Sequence, residues 1–375
     1  MALILITGVN GFVGSNLVAA LFNNHQIYGL DIVTPQKEGV VKTFTWKDLN
    51  SLPEIDVIIH LAGKAHDTKS QTNAQIYFDI NTRLTQKIYD WFLTSNAKKF
   101  IFFSSVKAAA DRVEGDILTE DVVPSPKGPY GESKIAAENY ILSKEPPTPK
   151  GEKEESQEPG TKNQESDGKS IFSTTDYLLP MKLETYRLCE ITDSLLPTIN
   201  GVGDIPPLRD YQLSTTYILR PCMIHGPGNK GNLNLLYQVV KKGIPYPLGA
   251  FENRRSFTSI DNLSFVISEL IEKDIPGGIY NVGDDDSLST NELIELMAKT
   301  MNKPNRTWKW NKSFVEVIAR AGTILHLPLN TERLNKLTEN YVVSNDKLKK
   351  ALGIKKMPVT AKDGFIKTIQ SFENK

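Results

Sequence analysis

The chain predicts an α/β architecture, a doubly wound parallel sheet followed by a smaller, mainly helical C-terminal lobe. Three observations predict it. Short apolar runs suited to buried strands alternate with segments of helical period through residues 1–142. The first of those runs ends in a glycine-rich turn, Gly8-Val9-Asn10-Gly11-Phe12-Val13-Gly14, that opens straight into a helix. Beyond Pro221 the strand runs become short and helical segments dominate.

Taken in order, residues 2–7 (Ala-Leu-Ile-Leu-Ile-Thr) read as a buried strand, 12–23 as a helix and 25–31 as a second strand. Residues 42–46 and 56–61 supply two more strands. Residues 76–95 are helical, with Ile80, Leu84, Ile88 and Phe92 recurring every fourth position. A further strand at 99–104 and a helix at 130–142 complete the first section. The rhythm then breaks. No strongly apolar residue occurs between Leu142 and Ile171, so that stretch cannot bury enough surface to offset its ordering entropy and reads as a disordered loop. Residues 171–212 are more apolar but are punctuated by Pro180, Pro197, Gly201, Gly203, Pro206 and Pro207. The sheet resumes at 215–220, which makes 143–214 an insertion in a working scaffold. It either borders the pocket or is a tolerated surface excursion. The C-terminal section, 215–375, combines the last strands with helices at 233–242, 261–273, 290–301, 313–325 and 360–372, and short strands at 256–259 and 278–282.

The glycine turn carries the first chemistry. After a strand and before a helix, Gly8 permits a sharp turn, Gly11 lets backbone approach a pyrophosphate, and Gly14 lets the helix pack close. Asn10, Phe12 and Val13 lie in the same cradle, and the helix start offers free N–H groups to an anion. Asp31 ends the second strand, where a carboxylate accepts from ribose hydroxyls and repels a 2′-phosphate, so the cofactor expected is NAD in a Rossmann-type sheet. Asp48 and Leu49 are candidates for the adenine side. Leu61, Ala62 and Gly63 are small or flexible residues where the backbone must pass the cofactor.

The second chemistry lies in Tyr130-Gly131-Glu132-Ser133-Lys134, which puts a phenol and an ammonium on one helix face. A phenol near its ordinary pKa of about 10 is a poor base, and neighbouring positive charge favours the phenolate. Tyr130 could then take a proton from a sugar hydroxyl, with Lys134 bonding the nicotinamide ribose. The spacing is not special, since Tyr140/Lys144 and Tyr237/Lys241 repeat it. Tyr130 stands apart because its helix follows the strand ending in Ser104-Ser105, at the sheet edge where ligands of such folds bind. Ser105 is the third polar group.

These residues, in this order and separation, resemble the extended short-chain dehydrogenases/reductases, specifically the NAD-dependent nucleotide-sugar epimerase/dehydratase family. The resemblance rests on Thr7 to Gly14, His60-Leu61-Ala62-Gly63, Ser104-Ser105 and Pro129 to Lys134, and spans the chain except 143–214. It implies catalytic roles for Tyr130, Lys134 and Ser105. It also implies a substrate side in which Asn232 and Leu233 open a helix at the diphosphate, Arg255 grips that diphosphate with its planar fork, and Arg333 is the nearest candidate for a second arginine. The 4,6-dehydratases of the family carry an Asp-Glu pair where this chain has Val106-Lys107, which argues against dehydration. The segments 226–232, 247–250 and 253–256 resemble a polysaccharide-biosynthesis branch of 4-epimerases and 4-keto reductases acting on UDP-sugars. A 4-epimerase, a 4-keto-6-deoxy reductase using NAD(P)H and a non-catalytic NAD-binding scaffold are the three readings, of which the intact Ser105, Tyr130, Lys134 and Arg255 disfavour the last.

Totals bound the rest. Lys plus Arg and Asp plus Glu both number 44, so nothing in the charge favours nucleic acid or an acidic membrane. The two cysteines, Cys189 and Cys222, make no secretory pattern, and the first apolar run is too short for a signal peptide. No stretch reaches the roughly 18 apolar residues of a membrane span. The cytoplasm is the expected compartment, and no metal is called for. The aromatic, basic and apolar stretches 306–310 and 314–325 suit a core or dimer interface better than a membrane surface. The family resemblance implies a homodimer through the Tyr130 helix and the long helix before it.

Overall fold

The computed structural model describes residues 1–64, 73–144, 214–229, 232–324 and 330–373. Seven strands form one fully parallel sheet in the order β3-β2-β1-β4-β5-β6-β9. They are β1 (Leu3–Thr7), β2 (Gln26–Asp31), β3 (Lys42–Thr45), β4 (Val57–His60), β5 (Lys99–Phe103), β6 (Thr215–Pro221) and β9 (Gly278–Val282). β7 (Met223–His225) and β8 (Phe257–Ser259) make a separate parallel pair. The order reverses between β1 and β4, which opens a crevice at the C-terminal ends of those strands.

Alternation along each strand distributes the apolar side chains to two faces. Ile4, Ile6, Ile59, Ile101, Phe103 and Leu219 pack against α1 (Phe12–Leu21), α7 (Ile260–Glu272) and α11 (Asp346–Leu352). Leu5, Ile58, Phe100, Phe102 and Ile218 pack against α3 (Leu84–Thr94) and α5 (Pro129–Lys144). The C-terminal lobe has its own core, where α6 (Asn232–Lys241), α8 (Thr290–Thr300) and α12 (Ala361–Glu373) bury Leu233, Tyr237, Leu293, Met297, Phe365 and Phe372. All described residues belong to one compact unit. Apart from residues 143, 144 and 214, the insertion lies outside the described residues. Among the described residues, no helix is long and apolar enough to cross a membrane.

Several elements differ from the sequence reading. The helix expected at 76–95 is continuous from α2 (Ala74–Tyr77) to α3, but passes through a π-helical turn, Phe78–Arg83. That extra residue per turn shifts the face. Asn81, Thr82 and Thr85 are buried, whereas Ile80 and Leu84 of the expected apolar stripe are only half-buried. Helices α4 (Val106–Ala109), α10 (Thr331–Thr338) and α11, of four, eight and seven residues, are too short to show a helical period in the sequence. Helix α9 (Lys312–Ile324) buries Val315 and Ala319 but leaves Phe314 and Val317 exposed, and Trp308 stacks on Trp310 at 6.4 Å between centroids.

Helix α5 is held to the sheet by charge rather than by an apolar stripe. Its buried residues are Gly131, Ser133, Lys134, Ala137, Glu138 and Ile141. Glu138 accepts from Arg220 Nε at 3.0 Å and from Arg220 Nη2, and Ser104 Oγ donates to the same carboxylate. Both charged residues are essentially inaccessible, Arg220 at 1% and Glu138 at 0%. Burying one partner without the other leaves an uncompensated charge. Arg220→Leu is expected to lose about 3–5 kcal/mol of stability in urea unfolding, and Arg220→Leu with Glu138→Leu to recover at least half of it. A single variant as stable as the parent would refute the assignment.

Candidate active site

The glycine turn is built from backbone contacts too close for side chains. Gly8 has φ +69° and donates its N–H to Leu30 O at 2.8 Å. A Cβ on Gly14 would stand 2.5 Å from Gly8 O and 2.8 Å from Val9 O, both backbone atoms that cannot turn away. Gly11 N donates to Gly8 O at 3.0 Å and closes the turn. Asp31 braces it from the neighbouring strand, with Oδ2 accepting from Asn10 N at 3.0 Å and Oδ1 from Ile32 N at 2.7 Å. Carboxylate oxygens keep further lone pairs for a ligand after accepting one bond each. Phe12 and Val13 are half-buried at the start of α1. Phe12 lies beside Gly228 of the loop after β7, and Asn16 donates to Pro227 O at 3.1 Å.

Lys37, which the sequence reading did not single out, donates to Val9 O at 2.6 Å and Ser15 Oγ at 2.8 Å, holding a cation beside the turn. Asp48 spends its carboxylate nearby on Thr45, from N at 2.9 Å and Oγ1 at 2.6 Å, and those bonds hold it below the usual carboxylate range. The Leu49 side chain is core, packed with Phe44 and Ile58. Both Asp48 bonds fall on Oδ2, so Oδ1 and the main chain of that turn remain to meet a ligand.

A hydrogen-bonded chain runs from β1 to α5. Ala62 N donates to Thr7 Oγ1 at 3.0 Å, and Leu61 N to Thr7 O at 3.2 Å. Thr7 Oγ1 meets His60 Nδ1 at 2.7 Å, and His60 Nε2 meets Thr85 Oγ1 at 2.9 Å. Thr85 donates to Asn81 O, Asn81 Nδ2 to Ser133 Oγ at 3.0 Å, and Ser133 Oγ to Tyr130 O at 2.9 Å. Burial, with Lys134 adding to it, pushes His60 down to about 3, so it stays neutral and acts as a connector. Thr7, His60 and Ser133 lie within the motifs read from the sequence, whereas Asn81 and Thr85 lie outside them. Asn81, Thr82 and Thr85 stand out only as polar residues on a helix that needs a buried face.

Tyr130, Lys134 and Ser105 come together at the C-terminal edge of β5. Ser105 is the N-cap of α4 and is buried, and its hydroxyl is hydrogen-bonded to Tyr130. Helix α5 passes close to α4 because residue 131 is glycine, where a Cβ would stand 2.5 Å from Lys107 O. The half-buried Tyr130 ring meets Tyr77 edge-on at 6.4 Å. Burial holds its phenol above the ordinary value, partly opposed by the Ser105 hydrogen bond and reinforced by Tyr77. The sequence reading has positive charge favouring the phenolate. Here Lys134 Nζ is instead directed at Phe103 O, 2.8 Å away, and lies against Gly63 and the Phe102 ring. Burial pushes the Lys134 ammonium down to about 8, partly opposed by Glu138 one turn on.

On the other side of the crevice, Asn232 begins α6, and Leu233 behind it is buried in the lobe core. Gly231 and the side chains of Asn232 and Arg333 lie outside the described residues, and Arg333 is carried on α10. Arg255 is fixed by backbone pairing on both sides, to Leu288 and to Tyr341. Its guanidinium meets Glu339 at 3.3 Å. At the positions after Ser105, Val106 is buried and Lys107 donates to Asp111 O at 2.6 Å.

Residues 4–145 match the model of the NAD dependent epimerase/dehydratase family. Over 98% of this chain and 95% of the relative, the sequence is 26% identical to UDP-glucose 4-epimerase of Vibrio cholerae. UDP-N-acetylglucosamine 4-epimerase from Bacillus cereus superposes over 100% of both chains, at TM-score 0.65 and 16% identity. MoeE5, solved in complex with UDP-glucuronic acid and NAD, does so over 99% of both chains, at TM-score 0.64 and 17% identity. At those identities the structural likeness speaks to the fold.

The buried ammonium makes a pH signature. Lys134 binds its proton less readily in the folded chain, with a value near 8, than in the unfolded chain at the ordinary lysine value of about 10.4. The unfolded state then carries more protons across that window, so this group's contribution to stability rises with pH, by at most about 1.4 kcal/mol per unit. Lys134→Met should remove that rise when denaturant midpoints are measured from neutral to alkaline pH. Parallel curves for variant and parent would refute it.

Proposed function

Because the chain belongs to the NAD-dependent epimerase/dehydratase family of extended short-chain dehydrogenases/reductases, we propose that it is a 4-epimerase of a UDP-hexose or UDP-N-acetylhexosamine. It is an enzyme, and its cofactor is NAD. The observation that carries the reading is the convergence of Ser105, Tyr130 and Lys134 at one strand end, beside a glycine turn that excludes side chains.

The residues present fit that cofactor. Gly8, Asn10, Gly11, Phe12, Val13 and Gly14 would cradle its pyrophosphate at the α1 N-terminus, and Asp31 would accept from the adenosine ribose. The Asp48-Leu49 backbone would edge the adenine. Leu61, Ala62 and Gly63 would line the path to the nicotinamide half, where Lys134 and Tyr130 reach the ribose. When bound, NAD would supply reversible hydride transfer at C4 of the sugar.

The chain's own residues manage the proton. Tyr130 accepts the C4 hydroxyl proton and later gives it back. Its phenol is held up by burial, so the phenolate needs positive charge close by when the proton moves. Lys134 supplies one such charge, and because its ammonium is already near the edge of neutral pH, activity should fail as it deprotonates above about 8. Ser105 holds the sugar oxygen in line with the phenol. Arg255 binds the diphosphate through its fork, with Asn232 and Leu233 at the α6 start and Arg333 on α10 completing that side.

The full-length similarity to a UDP-glucose 4-epimerase supports the sugar nucleotide and the C4 chemistry. Val106 and the Asp111-bound Lys107 offer no carboxylate at the positions a 4,6-elimination would use. Product analysis by NMR tests the proposal. Interconversion of C4 epimers of a UDP-hexose or UDP-N-acetylhexosamine with trace NAD is expected. Reduction of a UDP-4-keto-6-deoxy-N-acetylhexosamine, with NADH consumed one for one and epimers untouched, would assign the 4-keto reductase instead. Tyr130→Phe is expected to lower turnover by at least about 10²-fold while UDP binding survives. Undiminished turnover would remove Tyr130 from the mechanism.

A further inference from the structure

The guanidinium assigned to the diphosphate already holds an anion supplied by the chain. Arg255 Nη2 lies 3.3 Å from Glu339 Oε1, and its Nε donates to Glu339 O at 3.5 Å. Arg112 Nε approaches the other oxygen of the same carboxylate at 3.9 Å. Lys107 lies close enough to Glu339 and Arg255 for both to act on its charge, while its ammonium is anchored on Asp111. Glu339 thus sits between two guanidinium groups, with the Lys107–Asp111 pair beside them, at the side of the crevice assigned to phosphate.

This arrangement is built in by the backbone. Arg254 N donates to Asn340 Oδ1 at 2.8 Å, Tyr341 N to Arg254 O at 2.8 Å, and Ser256 N to Tyr341 O at 2.9 Å. Arg255 N and O exchange bonds with Leu288 at 3.0 and 2.9 Å. The two main chains are therefore tied together by backbone bonds, whereas Arg255 and Glu339 meet through their side chains. Both partners are partly exposed, Arg255 at 24% and Glu339 at 20% of the side chain. The pair is thus mostly shielded from water yet still open on one side, where an anion coming to Arg255 would meet it.

We infer that Glu339 is an internal counter-ion that a ligand's diphosphate must displace from Arg255, and that it thereby sets how tightly this enzyme holds its nucleotide. The inference rests on the reading of Arg255 as the diphosphate-binding residue. Glu339 acts on affinity and takes no part in the proton transfer at C4. By weakening the hold on every anion at Arg255, it favours ligands whose phosphates can engage Arg112 and Lys107 as well.

Calorimetric titration of UDP into the full-length chain tests this, with uridine as the uncharged control. Glu339→Gln keeps the shape and removes the charge, and Glu339→Ser serves as a second variant should the first fold poorly by circular dichroism. Both are expected to bind UDP about tenfold tighter than the parent, with uridine affinity unchanged. Arg255→Gln should bind UDP more weakly, and adding Glu339→Gln to it should bring no gain, since the two residues act through one contact. Unchanged or weaker UDP binding by both folded Glu339 variants, with the parent binding UDP, would overturn the inference and leave the nucleotide-sugar reading standing. A parent that binds no UDP would overturn both.

Discussion

The buried ion pair between Glu138 and Arg220 is the joint on which the site depends. Taking two charges out of water costs several kcal/mol each in proteins, and only tight mutual pairing with further hydrogen bonds offsets it. Here Ser104 and Arg220, at the ends of adjacent strands, supply those bonds to one carboxylate. The pair fixes the rotation of α5 about its axis, because the charge of Glu138 has no other acceptable position in the core. Lys134 and Tyr130 lie one and two turns earlier on that helix, so their directions follow. The same carboxylate partly restores the Lys134 charge that burial disfavours.

A helix secured in this way does not need an apolar stripe, and α5 lacks one: Ser133, Lys134 and Glu138 are buried along with Ala137 and Ile141. The polar interior continues through Asn81, Thr85, His60 and Thr7 to the glycine turn. Each member has its hydrogen bonds supplied by the next, which makes such a network rigid and costly to break in part. The π turn is the local accommodation that lets three polar residues of one helix face the interior together. In this way the glycine turn and the Tyr130 helix are fixed relative to each other through one continuous polar seam.

Around Arg255 the electrostatics are local. The chain has no net charge, yet Arg112 and Arg255 converge on the Glu339 carboxylate, with Lys107 nearby on Asp111. A neutral total combined with a concentrated cation cluster suits a small anionic ligand held in a crevice, where steering by the whole-molecule field is unimportant.

By itself, the sequence determined the sheet, because strand alternation and apolar runs are written in neighbouring residues and burial acts on each strand alike. It also determined the glycine turn and the Tyr130, Lys134 and Ser105 candidates, since those depend on short spacings along one element. The tertiary structure alone decided which polar residues are interior. Glu138 and Arg220 are 82 positions apart, His60 and Thr85 25, and Arg255 and Glu339 84. Their partners come from elements that meet only after folding, and a polar residue on a helix reads as solvent-facing until its partner is known. The same reason explains α10 and α11, which are too short for two or three apolar residues to announce a helix and whose position is set by Leu334 and Leu348 entering cores built by other segments.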